Sequence, residues 1–167
     1  MVIILNIIYT NKGLSLDILT EWAFHIHLLM AISWIGGSIF MFVLGITLRD
    51  KEAQNQVYPH IGPIFGWFEL FALVILLISG YIMGLHYNLF ELLFLDQSTK
   101  ISDALKMKVI LVSILTVATV IHFIIAYKTN GKERTKIEQI LSRGSSMMIF
   151  LLNLFVMHYA IVMRDIL

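Results

Sequence analysis

An all-α integral membrane four-helix bundle, folded as one domain, is the architecture this sequence predicts, on three observations. Hydrophobic residues make up 59% of the 167-residue chain and charged residues only 14%, against about 25% charged in an ordinary globular domain, and the mean hydropathy is +0.86. The apolar residues are gathered in four blocks, each reaching the ~20 residues that cross a ~30 Å hydrocarbon core. Polar segments separate the blocks, and an open strand edge cannot face lipid, so each block is an α-helix.

In chain order, the amino-terminal "MVIILNIIYTNKGLSLD" lacks the basic region and small-residue cleavage site of a secretory signal. It is expected to be retained, lying at the membrane interface or packing on the bundle. The first span runs from about Trp22 to Leu48, residues 22–48, and the second from about Ile61 to Tyr87, residues 61–87. Pro59 and Pro63 flank the expected start of the second, where a missing N–H does least harm. The third covers residues 104–127 with Ser102 or Asp103 as its cap, and the fourth residues 145–163, opened by Ser142 or Gly144. The links are "RDKEAQNQVYPH", "NLFELLFLDQSTKISD" and "KTNGKERTKIEQILSRG".

Lys and Arg set the expected orientation. Arg49, Lys51, Lys128, Lys132, Arg134, Lys136 and Arg143 fall on the side of the first and third links, against Lys12, Lys100, Lys106, Lys108 and Arg164 on the other. The positive-inside rule therefore puts those two links in the cytoplasm and both termini outside.

Composition also removes several function classes. A net charge of +1 with no basic run offers nothing for nucleic acid. The absence of cysteine excludes disulfides, thiolate zinc sites, iron–sulfur clusters and c-type haem attachment. A metal would have to be held by His, Met, carboxylate or backbone.

All six histidines fall within or at the ends of spans: His25 and His27 in the first, His60 and His86 at the ends of the second, His122 in the third and His158 in the fourth. Ionisable groups at membrane depth are costly and turn toward the bundle interior or a partner. By depth, at about 1.5 Å per residue, His27, His86 and His158 share the outer half and His122 and His60 the inner. His25 and His27 point about 200° apart on a helix, so only one can face an interior site. His27, seven residues before Trp34 on nearly the same stripe, is the better placed.

Single histidines on different helices suit a porphyrin held between helices. The metal-ligand candidates are His27, His86, His158 and His122, giving one haem b or two, with His60 as a further partner. Zinc would prefer convergent N/O ligands, often an i, i+4 pair, and none exists. Copper would prefer clustered Met and Cys, and Met147–Met148 is the one tight cluster among nine methionines. Glu69, inside the second span near Trp67, is either a neutral hydrogen-bonded carboxyl or part of a proton relay. Lys106 and Lys108 either snorkel to headgroups or pair with porphyrin propionates. "SWIGGS" and "LISGYIMG" permit close approach of backbones or a flat ligand.

"HLLMAISWIGGSIF" resembles the first helix of the copper-resistance D type of membrane domain and of the bacterial protoporphyrinogen IX oxidase family, where a His precedes a Trp by seven residues. "HIGPIFGWFELFALVILLISGYIMG" and "DALKMKVILVSILTVATVIHF" are similar to their following helices, the latter with Lys108 fourteen residues before His122. The resemblance covers most of residues 22–127. It implies a haem-b-binding four-helix protein of the bacterial inner membrane, with His27 and Lys108 at the cofactor or substrate site.

The chain departs from the oxidase pattern after Trp34, where it has no proline or nearby arginine, and before the fourth helix, which reads "SRGSSMMIFLLN". With His86 and His158 added, it reads as a b-type cytochrome exchanging electrons with quinone or a redox protein, as a lone protein or a subunit of a larger complex. Porphyrinogen oxidation, copper handling and a purely structural role are the alternatives.

Overall fold

The computed structural model describes residues 2–94, 99–129 and 135–166. Five helices follow in order: α1 Val2–Thr47, α2 Lys51–His86, α3 Leu89–Phe94, α4 Lys100–Lys128 and α5 Lys136–Ile166. All but α3 contain a stretch long and apolar enough to cross a membrane: Leu16–Thr47, Glu52–His86, Lys100–Lys128 and Gly144–Arg164. The four form a closed antiparallel ring in which α1 packs on α2, α2 on α4, α4 on α5 and α5 back on α1. The pairs α1/α4 and α2/α5 lie diagonally across it. The all-α four-helix architecture is as the sequence predicts.

Local chemistry sets the boundaries. Asp50 caps α2, its Oδ2 accepting from Ala53 N at 2.9 Å, so the expected twelve-residue link shrinks to Leu48–Asp50 and the rest is helix. Pro59 and Pro63 therefore lie inside α2 rather than at its start. Neighbouring helices make such prolines tolerable in a membrane bundle. The α2/α3 turn passes through Asn88 at φ 53, a left-handed conformation that Asn adopts more readily than most residues.

Thr99, not Ser102 or Asp103, caps α4 by accepting from Ser102 N at 3.2 Å. This frees the Ser102 hydroxyl to donate to Leu92 O at 2.9 Å and fasten α3 to α4. At α5 a reciprocal cap joins Thr135 and Glu138, with Glu138 N donating to Oγ1 at 3.3 Å and Thr135 N donating to Oε2 at 2.9 Å. The helix thus begins well before Ser142 or Gly144. The amino-terminal segment is also not a separate interfacial piece: its backbone continues into the 46-residue α1, roughly 69 Å long.

Each of the four long helices supplies the core at mid-height: Trp34 from α1, Ala72 and Leu73 from α2, Leu115 and Ala118 from α4, Ile149 from α5. A second cluster, Ala104, Leu105 and Met163 with Leu89, Leu92 and Tyr159 beside them, closes the end at which α3 sits. Large apolar side chains such as Trp22, Phe40, Phe71, Ile78, Val117 and Phe155 point outward. A soluble surface rarely carries so much contiguous apolar area, and in a membrane these groups meet lipid.

Candidate functional site

A stripe along α1, at residues 27, 34 and 38, turns inward because spacings of 7 and 4 return to nearly the same helix face. Each of its polar members meets a partner on another helix. The His27 ring lies 2.9 Å from Ser79 Oγ of α2 through Nδ1, the Trp34 indole donates to Glu69 Oε1 of α2 at 3.3 Å, and Asn153 Nδ2 of α5 donates to Ser38 Oγ at 3.3 Å. A fourth pair, His122 Nδ1 with Ser145 Oγ at 3.0 Å, joins α4 to α5. Among the described residues no buried side-chain oxygen or nitrogen lacks a partner, as the membrane interior requires.

The geometry around His27 favours one tautomer. Ser79 has one hydroxyl proton, and its Oγ sits 2.6 Å from the Ile75 carbonyl on its own helix, the usual back-bond of a helical serine. With the proton placed there, Ser79 would accept from a ring that carries its hydrogen on Nδ1, leaving the Nε2 lone pair available. Gly80 lines the ring: a Cβ there would stand 3.4 Å from Cε1 and 3.8 Å from Nδ1, ordinary contact distances.

Lys108, half-buried on the diagonal helix α4, stands seven residues, about 10 Å of helix, from the core residue Leu115, the same offset that separates His27 from Trp34. Among the described residues no carboxylate lies within ion-pair distance of it. A nitrogen lone pair and a cation thus share one interior region near the α3 end. Such a region can offer one ligand bond and one charge contact to an anionic, metal-bearing or acidic guest.

The remaining histidines are not drawn into it. His86 Nε2 lies 3.5 Å from Asp17 Oδ1, and Asp17 precedes His27 by ten residues, roughly 15 Å of helix, so the His86 ring stands at the rim of the bundle. His158 is exposed on α5 and packs edge-on against Tyr159 with centroids 5.5 Å apart. His60 and His25 are exposed and contact carbonyls of their own helices, Gln56 O at 3.0 Å and Glu21 O at 2.8 Å. His122 stands toward the opposite end, with Ser145. Among the described residues no three His, Cys, Asp or Glu side chains converge on a metal-sized space. Met147 and Met148 are exposed.

Ser79, Ser38, Ser145 and Asn153 are absent from the residues singled out by sequence. Ser38 and Ser79 lie in "SWIGGS" and "LISGYIMG", where they read as small packing residues. Their one signal was a hydroxyl four or more turns into an apolar run.

The comparisons return nothing to set beside this geometry: no family model, no curated protein and no solved structure matches the chain.

Proposed function

We propose that this chain is a b-type haem protein of the bacterial inner membrane that exchanges electrons with quinone or a partner redox protein. The observation that carries the reading is the 2.9 Å contact between His27 Nδ1 and Ser79 Oγ. A ring anchored through an Nδ1–H···O bond, with the Nε2 lone pair left available, is the form in which imidazole serves as a metal ligand, and the serine is the outer partner such ligands use. The residues suit haem b: His27 would hold the iron through a ring nitrogen, and Lys108 would pair with a propionate. When bound, the haem would supply reversible one-electron chemistry. The protein's part is to fix the ligand, balance the carboxylate charge and exclude water. The charge bias of the links supports a cytoplasmic position for the α1/α2 and α4/α5 connections.

The resemblance to the copper-resistance D type and protoporphyrinogen IX oxidase families supports the same two residues. It also keeps a second reading in view, oxidation of a porphyrinogen, because Lys108 would face a substrate carboxylate as readily as a propionate.

A reduced-minus-oxidised spectrum of the purified chain tests the proposal. A haem Soret band and a reduced-minus-oxidised difference signal are expected, both lost in His27→Ala. A colourless protein without Soret absorption would refute it. Porphyrinogen turnover that disappears in Lys108→Met while the haem is retained would favour the oxidase.

A further inference from the structure

Glu69 is the buried ionisable group that this reading leaves unused. It is 4% exposed at mid-height on α2. Its one described hydrogen bond is from the neutral indole of Trp34 at 3.3 Å, and among the described residues no cation stands within ion-pair distance. An ionised carboxylate there would be taken out of water with a single neutral donor to replace its hydration, an arrangement that folded proteins avoid by pairing or protonation.

The interior around Glu69 differs on its two sides. Toward the α3 end, the space between it and His27 is flanked by Met30, Leu73, Leu76 and Val156, all packed against the central core. Toward the α1/α2 turn, polar pairs recur at intervals of one turn or more, with the buried Ile149 of α5 between two of them. Ser38 lies four residues beyond Trp34, about 6 Å along α1, and meets Asn153. Ser145, eight residues from Asn153 and about 12 Å along α5, meets His122, and Thr119 is buried on α4 with its hydroxyl donating to Leu115 O of its own helix. The inward-turned titratable groups of the packed helices are His27 on α1 and Lys108 on α4, beyond the apolar side, and His122 on α4, at the polar side. α5 presents Asn153 near this level and Ile149 one turn nearer Ser145.

We propose that Glu69 is a proton-binding site at the middle of the bundle, loaded from the end at which α1 turns into α2 through the Ser38–Asn153 and His122–Ser145 pairs. The bound species is a single proton, held on the carboxyl as the acid while Trp34 donates to its carbonyl oxygen. The route is a half-channel: it reaches the membrane centre from one side and stops at the apolar layer beneath His27. Nothing in it depends on haem, so it stands or falls apart from the function proposed above.

Infrared spectroscopy of the full chain in lipid vesicles tests it. The carbonyl stretch of a protonated carboxylic acid should be present at neutral pH, shift in D2O, and vanish in Glu69→Gln, which keeps an oxygen for Trp34. Asn153→Leu should slow the deuterium shift several-fold. Ser38→Ala, the milder change, should slow it as well and serves if the first variant fails to fold. No such band in the wild-type chain, or a band that survives Glu69→Gln, would overturn the site. A deuterium shift as fast in Ser38→Ala as in the wild-type chain would overturn the route.

Discussion

The anchoring of His27 can be tested by removing the hydroxyl that meets its Nδ1. Ser79→Ala takes away the acceptor 2.9 Å from Nδ1 and leaves the ring's N–H half-buried between α1 and α2 without its partner. An interhelical hydrogen bond in a membrane averages about 0.6 kcal/mol and reaches about 1.7. A donor left stranded in a buried place costs about 1–3 kcal/mol. The Leu76 carbonyl borders the ring and takes up part of that loss, so a destabilisation of about 1–2 kcal/mol is expected in detergent unfolding. For ligand binding the consequence is larger than for folding, because the ring can now turn or switch tautomer. Loss of an outer partner of a ligating histidine typically lowers affinity about 10–100-fold, or about 1.4–2.8 kcal/mol. Haem titration followed in the Soret region measures that change, and Ser79→Thr, which keeps a hydroxyl able to bond the carbonyl four residues back, should restore most of the affinity. Nitrogen NMR of the imidazole provides a second readout. A wild-type ring with its proton on Nε2, or an affinity unmoved by Ser79→Ala, would refute the argument.

Two neighbouring glycines should respond to alanine with opposite sign. A Cβ at Gly37 would fall 2.6 Å from Phe65 Cε2, whereas one at Gly36 meets nothing within 4 Å. Gly37→Ala should therefore destabilise by about 1–2 kcal/mol after its gain in helix propensity, and Gly36→Ala should stabilise by about 0.5–1 kcal/mol, both read from thermal unfolding. Thr99→Ala, which removes the cap from α4, should cost about 1 kcal/mol and raise amide exchange in the first turn of that helix before it does so elsewhere.

The four spans and the α-class were legible because hydropathy and the prohibition on open backbone in lipid leave one solution. The inward face of α1 was legible too: His27 and Trp34 share a stripe by their spacing alone. What the sequence did not disclose is which residue faces which across the bundle. Periodicity gives a face but not the vertical offset between helices, and that offset decides that His27 meets Ser79 while His86, placed by depth with His27, meets Asp17. Helix ends were missed for a different reason. Asp50, Thr99 and Thr135 begin their helices in polar sequence well before the apolar run starts, so an apolarity rule starts each helix late. Pro59 and Pro63 reinforced the error at α2, since a proline reads as a start signal when the turn preceding it is missed.

The seam between α1 and α5 is where one polar pair should matter most. The ring is held broadly at α4/α5 and at α1/α2, two hairpins whose strands of sequence lie close together, and it closes over the thinner α1/α5 contact. There Asn153 Nδ2 donates to Ser38 Oγ, both residues nearly fully buried at 5% and 6% exposure. Lipid tails are as apolar as the side chains around this pair, so burial alone gives little preference for the closed ring over two splayed hairpins, and a directional bond has a larger share of the work. A double-mutant cycle of Ser38→Ala and Asn153→Leu should return a coupling of about 0.6–1.7 kcal/mol, with Asn153→Leu alone the costlier change when Ser38 is left in place. The same cycle on Thr119, whose hydroxyl donates to Leu115 O of its own helix at 2.9 Å, should show no coupling to Ser38. A vanishing Ser38–Asn153 term would mean that side-chain packing by itself closes the ring, and that the polar stripe is present for what it carries rather than for what it holds together.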